Sequence, residues 1–343
     1  WPQIADPQSL IFAPLYLAAA FLGPSPSFQL ADGVAFGHLA LGALGLFLYV
    51  RDRGWRAEGA LVAAIAFAFG GSAAWRLQHV GQVMSLAWFP LALFALSRAL
   101  DRRSIIWGAL AGLFAAVMVA GRDQIAWLQT IILAGFVAQR LFRGAGVRAN
   151  LRGFIAPLVA GGVVGLVVAG VPVVLSAILA AGSNRPEIIF SEVVKGSLHP
   201  ASLLTVIAPD LYGVAGPLAY FWGPPSDAWG PTGLFLARNM GEVYFGALAL
   251  AAVIGAGLPL RRGDGDMRSF TVVAILLGLY AVGRYTPAFS FLFHLPGAGL
   301  WRRPADATFP LCALLALLGG YGVHRIASGE SRWWPTLVPV LVL

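Results

Sequence analysis

The stretch GLWRRPADATFPLCALLALLGGYG, residues 299–322, places two arginines and an aspartate directly before a long apolar run. An arginine guanidinium binds phosphate or carboxylate through two parallel hydrogen bonds. A carboxylate within reach of a reacting hydroxyl can accept its proton as a general base. The chemistry open to Arg302, Arg303 and Asp306 therefore depends on the elements that hold them and on the surface where they lie.

Those elements are apolar segments long enough to cross a membrane. Hydrophobic residues make up 59% of the 343 residues and charged residues only 11%, where a soluble domain carries about 25% charged residues. A helix satisfies its own backbone polar groups in lipid, and about 20 apolar residues cross the hydrocarbon core. The sequence predicts an all-α polytopic membrane protein with about nine complete transmembrane helices, at 31–50, 57–75, 83–100, 105–121, 125–142, 154–178, 243–260, 269–284 and 307–325.

The ends of the chain indicate a segment of a longer protein. The chain begins at Trp1 and ends inside the apolar run WWPTLVPVLVL, which we interpret as a truncated further helix. The one cysteine, Cys312, lies inside a predicted span, so an intramolecular disulfide is excluded.

The net charge of +8 indicates membrane topology rather than nucleic-acid binding. If the spans alternate, most of the 23 basic residues fall in short loops on one side, which the positive-inside rule makes the cytoplasmic side. The opposite, outer face then comprises residues 1–30, 76–82, 122–124, 182–242 and 285–306.

A single transmembrane domain over residues 1–343 is the simplest organisation. Residues 1–30 form a partial first outer loop whose apolar part, interrupted by Pro14, is too short to span and predicts an interfacial or re-entrant helix. Residues 182–242 form a long outer-face loop rich in Pro, Gly and aromatic residues. We find neither an internal repeat nor the paired broken helices of inverted-repeat transporters.

Three outer carboxylates are candidate general bases, and each has a structural alternative. Asp6, before Pro7, could be a helix N-cap. Asp123 could pair with Arg122 at a turn, and Glu242 could favour the N-terminal dipole of the span that follows it.

Outer cations beside span ends are candidate phosphate-binding residues. Arg302 and Arg303 could bind an anionic head group, or they could pair with Asp306 or anchor the span to lipid phosphates. The histidines do not cluster, and HxH, HExxH and DxD spacings are absent, so we predict neither a metal site nor a cofactor. The small-residue strings GALAG (108–112) and GGVVG (161–165) predict close helix packing.

The order of these features resembles the bacterial YfhO-like integral membrane proteins of the GT-C glycosyltransferase superfamily. The matching stretches are ADPQSLIFAPLYL, HVGQVMSLAWFPLALFAL, AGRDQIAWLQ, SNRPEIIFSEVVKGSLHPASLLTVIAPDLYG, GEVYFGALAL and GLYAVGRYTPAFSFLFHLPGAGLWRRPADATFPLCALLALLGGYGV. In WRRPADATF the family pattern resembles Arg-x-Pro-x-Arg, which Arg302 and Pro304 match, whereas Asp306 replaces the second arginine.

The resemblance implies a GT-C-like fold and transfer of a sugar from a polyprenyl-phosphate-linked donor to a cell-envelope glycan or lipid acceptor. The location would be the bacterial inner membrane, with the active face toward the periplasm, and the expected partners are the lipid bilayer, the donor and the acceptor, without nucleic acid. A lipid-linked-sugar transporter or flippase and a non-catalytic membrane scaffold subunit are the alternatives. On the enzyme hypothesis the catalytic candidates are Asp6, Asp123 and Glu242, and the substrate-binding candidates are Arg302, Arg303, Arg122, Gln124, Arg185 and His79.

Overall fold

The computed structural model describes residues 3–23, 27–144, 146–183, 188–213, 221–224, 238–260, 263–295 and 297–331. Within these ranges all regular secondary structure is helical, and no β-strand occurs, as the all-α prediction requires. The α-helices are α1 (Pro14–Phe21), α2 (Phe28–Asp52), α3 (Ala57–Phe69), α4 (Gly71–Ala74), α5 (Val80–Arg102), α6 (Ile105–Val119), α7 (Gln124–Leu141), α8 (Val147–Ala181), α9 (Phe190–Val193), α10 (Arg238–Gly241), α11 (Ala247–Ala256), α12 (Gly265–Val282), α13 (Ala288–Leu292) and α14 (Thr308–Ala327).

Six helical stretches in the described ranges are long and apolar enough to cross a membrane. They are Phe28–Asp52, Ala57–Ala74, Val80–Arg102, Val147–Ala181, Gly265–Tyr285 and Pro304–Ala327. By length and composition the chain is therefore a multi-spanning helical membrane protein.

The other three predicted spans are helical but fall outside this set. α6 has 15 residues and α11 has 10, both fewer than the roughly 20 that a span needs. α7 has 18 residues, but three glutamines and an arginine make it more polar than the six. The described residues thus support six spans where the sequence predicted nine.

The chain divides into two compact units. Unit 1 comprises residues 1–54 and 79–182, and unit 2 comprises residues 55–78 and 183–343. The single transmembrane domain stays a prediction.

In unit 1, α5 is the central helix, and almost all of its span is buried. It packs against α2 and α6. Gly45 of α2 lies so close to α5 that a Cβ atom there would come within 2.7 Å of the Leu91 backbone nitrogen. A glycine is therefore required for this close approach of two helices.

Small residues also bring α6 and α8 together. Gly108 lies against the backbone of Pro157, and Gly112 lies against the backbone of Gly161, so that a side chain at either glycine would overlap the facing helix. This packing confirms the interpretation of GALAG and GGVVG as a close helix contact.

In unit 2, α14 is the central helix and packs against α3, α11 and α12. Gly59 of α3 faces Gly320 of α14, backbone against backbone. Gly322 faces Ala252 of α11, where an added Cβ atom would lie 2.7 Å from the Ala252 carbonyl oxygen. The central helix is thus held by small residues on two sides.

A helix begins at Pro7, as the Asp6-Pro7 pattern predicts, but it is a short 3-10 helix rather than an α-helix. Pro7–Ser9 is a single 3-10 turn, in which the Asp6 carbonyl accepts from the Ser9 backbone N–H at 3.2 Å and from Ser9 Oγ at 2.8 Å. The α-helix begins at Pro14, whose missing N–H is tolerated in a first turn. With eight residues α1 is too short to span, and its interfacial location stays a prediction.

Candidate functional site

Unit 2 holds a small polar pocket in which Glu242 is the buried carboxyl, with 4% of its surface exposed. Glu242 directly follows α10 and begins the non-helical segment 242–246, which ends where α11 begins at Ala247. The first turn of α11 contains no acidic residue, so the helix-dipole interpretation of Glu242 is wrong for this helix. The segment instead turns the carboxyl into the protein interior.

Burial raises the pKa of Glu242 to about 7, because a charged carboxylate is poorly solvated there. Hydrogen bonds from the backbone N–H groups of Tyr244 and Asp210 lower the pKa, and the negative charge of Asp210 raises it. The Tyr244 N–H lies 3.2 Å from Glu242 Oε1. A carboxyl with a pKa near neutrality is poised to take up and release a proton at physiological pH.

Asp210 and Trp75 form the second polar group of the pocket. Trp75 Nε1 donates to Asp210 Oδ1 at 3.2 Å. Asp210 itself has a φ of 54°, in the left-handed region that non-glycine residues rarely occupy. Strained backbone of this kind is common where a side chain is held in place for binding or catalysis.

Hydroxyl groups hold the pocket wall and the Glu242 segment together. Thr205 Oγ1 accepts from the Val243 backbone N–H at 2.9 Å and donates to the Ser202 carbonyl at 2.7 Å. The Tyr212 hydroxyl donates to the Ala201 carbonyl at 2.6 Å. The cavity volume is about 20 Å³, enough for one water molecule. The enclosed part of the pocket can therefore take a single hydroxyl group beside Glu242.

A buried ion pair joins Arg76 to Asp306 in the same unit. Arg76 Nη1 lies 2.8 Å from Asp306 Oδ1, and both side chains are almost completely buried. The Arg76 guanidinium also lies 5.5 Å from the centre of the Phe309 ring. The expectation that Asp306 pairs with Arg302 or Arg303 is corrected, because its carboxylate binds an arginine 230 residues away.

Arg302 and Arg303 lie in the turn that precedes α14. Arg302 is exposed and Arg303 half-buried. Their backbone rests on Gly196, where any side chain would overlap the Arg302 carbonyl oxygen. The described geometry places both arginines at the start of the span Pro304–Ala327, where the sequence predicts the outer surface.

In unit 1, Asp123 is the N-cap of α7. Its Oδ1 accepts from the Ala126 backbone N–H at 2.9 Å, and its Oδ2 accepts from Ser85 Oγ at 3.0 Å. Both carboxylate oxygens therefore have hydrogen-bond donors within the fold. The structure gives Asp123 a capping role, which the interpretation as a partner of Arg122 did not anticipate.

Arg122 links the residues before Pro7 to α8 through hydrogen bonds. Its guanidinium donates to the carbonyls of Ala5 at 3.2 Å and Asp6 at 2.9 Å, and to Ser176 Oγ at 3.1 Å. Burial lowers the pKa of Arg122, while the nearby negative charge of Asp6 raises it. Since its donors already face protein acceptors, Arg122 serves as a structural link between segments.

The remaining predicted site residues are dispersed. Gln124 is buried as the first residue of α7, and His79 is the residue before α5, without capping it through its side chain. Arg185 lies outside the described residues. Among the residues that the structure describes, no group of three or more His, Cys, Asp or Glu side chains could hold a metal ion.

Sequence reasoning missed two contributors to the pocket, Asp210 and Trp75. Asp210 belongs to the predicted long outer-face loop 182–242, and Trp75 is the last residue of the predicted span 57–75. The one signal in the sequence for this grouping is that Asp210 and Glu242 belong to the same predicted outer loop.

No family model, curated protein or solved structure matches the chain.

Proposed function

We propose that the protein is a membrane glycosyltransferase that transfers a sugar from a polyprenyl-phosphate-linked donor to an acceptor hydroxyl. Glu242 is the general base in this proposal, and Asp210 and Trp75 position it. The supporting observation is the buried Glu242 carboxyl, with a pKa of about 7, at a cavity that admits one hydroxyl group. A base with a pKa near the working pH transfers protons most effectively.

The donor phosphate is assigned to Arg302 and Arg303. Two neighbouring guanidinium groups can neutralise a leaving phosphate by charge-assisted hydrogen bonds. Their place at the start of a span fits a lipid donor whose polyprenyl chain stays in the bilayer. The GT-C-like fold, the bacterial inner membrane and a periplasmic active face belong to the same proposal.

The test is turnover of a labelled donor by the purified full chain in lipid nanodiscs. The donors are undecaprenyl phosphates linked to tritiated glucose, galactose or mannose, and a bacterial envelope extract supplies acceptors. We expect transfer of label to the extract with release of undecaprenyl phosphate. Glu242→Gln should lower the rate by 10²- to 10⁴-fold, the contribution that a positioned general base makes.

Glu192→Gln is the matched control. Glu192 belongs to the same predicted outer loop, is exposed, and pairs with Lys195 at 2.6 Å. The same loss of a carboxylate there should leave the rate within about twofold of wild type, as surface ion pairs contribute little. A Glu242→Gln variant that turns over donor at the wild-type rate would remove Glu242 from the mechanism.

The proposed binding of the donor phosphate by Arg302 and Arg303 is tested separately, by native mass spectrometry with undecaprenyl phosphate. Wild-type protein should retain the lipid, and the Arg302→Ala/Arg303→Ala variant should lose it. Equal retention in both would make the two arginines interface anchors.

A lipid-linked-sugar flippase is the second candidate, favoured by one observation in unit 1. His38 is completely buried within the span Phe28–Asp52; its Nδ1 is 2.8 Å from the Val34 carbonyl, and its Nε2 has no hydrogen-bond partner in the described structure. Buried ionisable residues in spans often mark transport pathways. A flippase would move the labelled donor across sealed vesicles without cleaving it, so the product distinguishes the two functions.

A further inference from the structure

Aromatic residues form one wall of the pocket that holds Glu242. The pocket is lined there by Tyr212, Phe221 and Pro224. Trp222, between Phe221 and Pro224 in the chain, contacts the Tyr212 ring at an interplanar angle of 71°, with 5.0 Å between the ring centroids. The Trp222 side chain therefore lies at the rim of the pocket.

The backbone around Trp222 is held against the pocket wall. The Trp222 N–H donates to the Tyr212 carbonyl at 3.0 Å, and the Tyr212 hydroxyl in turn donates to the Ala201 carbonyl at 2.6 Å. Gly223 packs so closely on Tyr212 that a Cβ atom at this glycine would lie 2.7 Å from the Tyr212 Cβ atom. Two hydrogen bonds and a close glycine contact thus fix the place from which the indole ring projects.

The indole ring of Trp222 is open to the surroundings. Trp222 is 68% exposed, and it is the one tryptophan in the described ranges that is classed as exposed rather than buried or half-buried. An exposed aromatic ring presents apolar area that gains free energy when a ligand covers it. Next to a pocket with a candidate catalytic group, such a ring is a candidate surface for the substrate.

The polar part of the same pocket is acidic. Asp210 lines the pocket and is exposed, and its Oδ1 accepts from Trp75 Nε1 at 3.2 Å. Each carboxylate oxygen has two lone pairs, so Asp210 can also accept hydrogen bonds from the hydroxyl groups of a ligand. Among the described residues that line the pocket none is basic, and a negatively charged ligand would be repelled by Asp210.

A sugar ring has the chemistry that this combination recognises. A pyranose carries hydroxyl groups around its edge, which donate to carboxylates, and C–H groups on its faces, which lie favourably against the electron-rich face of an indole ring. The hydroxyl groups of a phospholipid head group or of a serine side chain are attached to no such ring. The pocket therefore favours a neutral carbohydrate among the molecules that could present a hydroxyl group to Glu242.

We propose that Trp222 and Asp210 bind one pyranose ring of a neutral glycan and place a hydroxyl group of that glycan at Glu242. Trp222 stacks on a face of the ring, and Asp210 accepts hydrogen bonds from its hydroxyl groups. The inference rests on the proposed glycosyltransferase function and names the class of its acceptor, a glycan rather than a lipid.

The test is saturation-transfer difference NMR of the purified full chain in lipid nanodiscs with cellotetraose, chitotetraose or maltotetraose. We expect saturation of the ring C–H protons of at least one oligosaccharide, and none of glycerol, which has hydroxyl groups but no ring. Trp222→Ala should weaken oligosaccharide binding by about tenfold, because the stacking surface is lost. Trp222→Phe keeps an aromatic face and should retain most of the affinity.

Phe291→Ala is the control, because it removes an exposed aromatic ring of α13 that does not line the pocket, and it should leave the affinity unchanged. The proposal is overturned if none of the three oligosaccharides is saturated. It is also overturned if Trp222→Ala binds them like wild type, since Trp222 would then be an anchor at the lipid interface.

Oligosaccharide binding and donor turnover are separate measurements, so the two proposals can fail separately. Wild-type protein that binds an oligosaccharide through Trp222 but turns over no labelled donor would overturn the glycosyltransferase and support the sugar site. Donor turnover without oligosaccharide binding that depends on Trp222 would overturn the sugar site alone.

Discussion

The buried pair of Arg76 and Asp306 allows a quantitative test of how unit 2 is held together. Both side chains are almost completely removed from solvent, and Arg76 Nη1 lies 2.8 Å from Asp306 Oδ1. Replacing Asp306 by alanine leaves a guanidinium charge at a position with 0% exposure. An uncompensated charge in such a place is far more costly than the loss of a hydrogen bond.

The expected loss of unfolding free energy for Asp306→Ala is about 3–5 kcal/mol. The double variant Arg76→Met/Asp306→Leu removes both charges and fills similar volume, so it should recover most of that loss. The surface pair of Arg56 and Glu58, with both side chains about half exposed, is the control for removing a carboxylate from an exposed ion pair. Glu58→Ala should leave the unfolding free energy close to that of the wild-type protein, because exposed ion pairs contribute little.

The assay is reversible unfolding of the purified chain in mixed micelles by increasing sodium dodecyl sulfate, followed by circular dichroism. We expect the double variant to be more stable than Asp306→Ala by at least about 2 kcal/mol. If single and double variants lose the same free energy, the cost arises from packing around α14 and the charge argument fails.

Three further predictions concern pH, helix packing and the first segment. Because the pKa of Glu242 is raised from 4.5 to about 7, the protonated carboxyl stabilises the fold fully below pH 4.5, and this contribution, on the order of 3 kcal/mol, is lost as the pH rises through 7. Glu242→Gln should abolish that part of the pH dependence of the unfolding free energy. If the unfolding free energy of the Glu242→Gln variant changes with pH as steeply as that of the wild-type protein, the prediction is contradicted. Gly108→Ala should destabilise unit 1 by about 1–3 kcal/mol through overlap with the backbone of Pro157, whereas Gly135→Ala, with open space around it, should be neutral or stabilising in thermal unfolding. Arg122→Ala should accelerate hydrogen exchange of residues 3–13 by about tenfold or more, since three carbonyls lose a charged donor, and unchanged exchange would show that other contacts hold the segment.

The helical class of the fold was predictable because it follows from composition and the length of apolar runs. Those signals are local, and they also anticipated the small-residue contact of α6 with α8. The number of spans was less predictable: the apolar run 243–260 contains a helix of only 10 residues, since the segment from Glu242 to Gly246 turns inward before α11 begins. Hydropathy records how apolar a segment is and does not record where its helix starts.

The candidate site was predictable only in part. Glu242 was identified from the sequence as a candidate general base directly before the apolar run 243–260, and the structure buries it. Asp210 and Trp75 could not be assigned to it, because a contact across 135 residues leaves no periodic pattern in the sequence. Asp123 was selected for its charge, whereas its position before α7 makes it a cap.

The distance along the chain between Arg76 and Asp306 also has a consequence for biogenesis. The ribosome adds about 5–20 residues per second, so the 230 residues between them take roughly 10–50 s to synthesise. During that interval Arg76 has been made and its carboxylate partner has not. Unit 2 can therefore complete its interior only after the last described span has been made, and until then the insertion machinery, lipid head groups or water must accommodate the guanidinium.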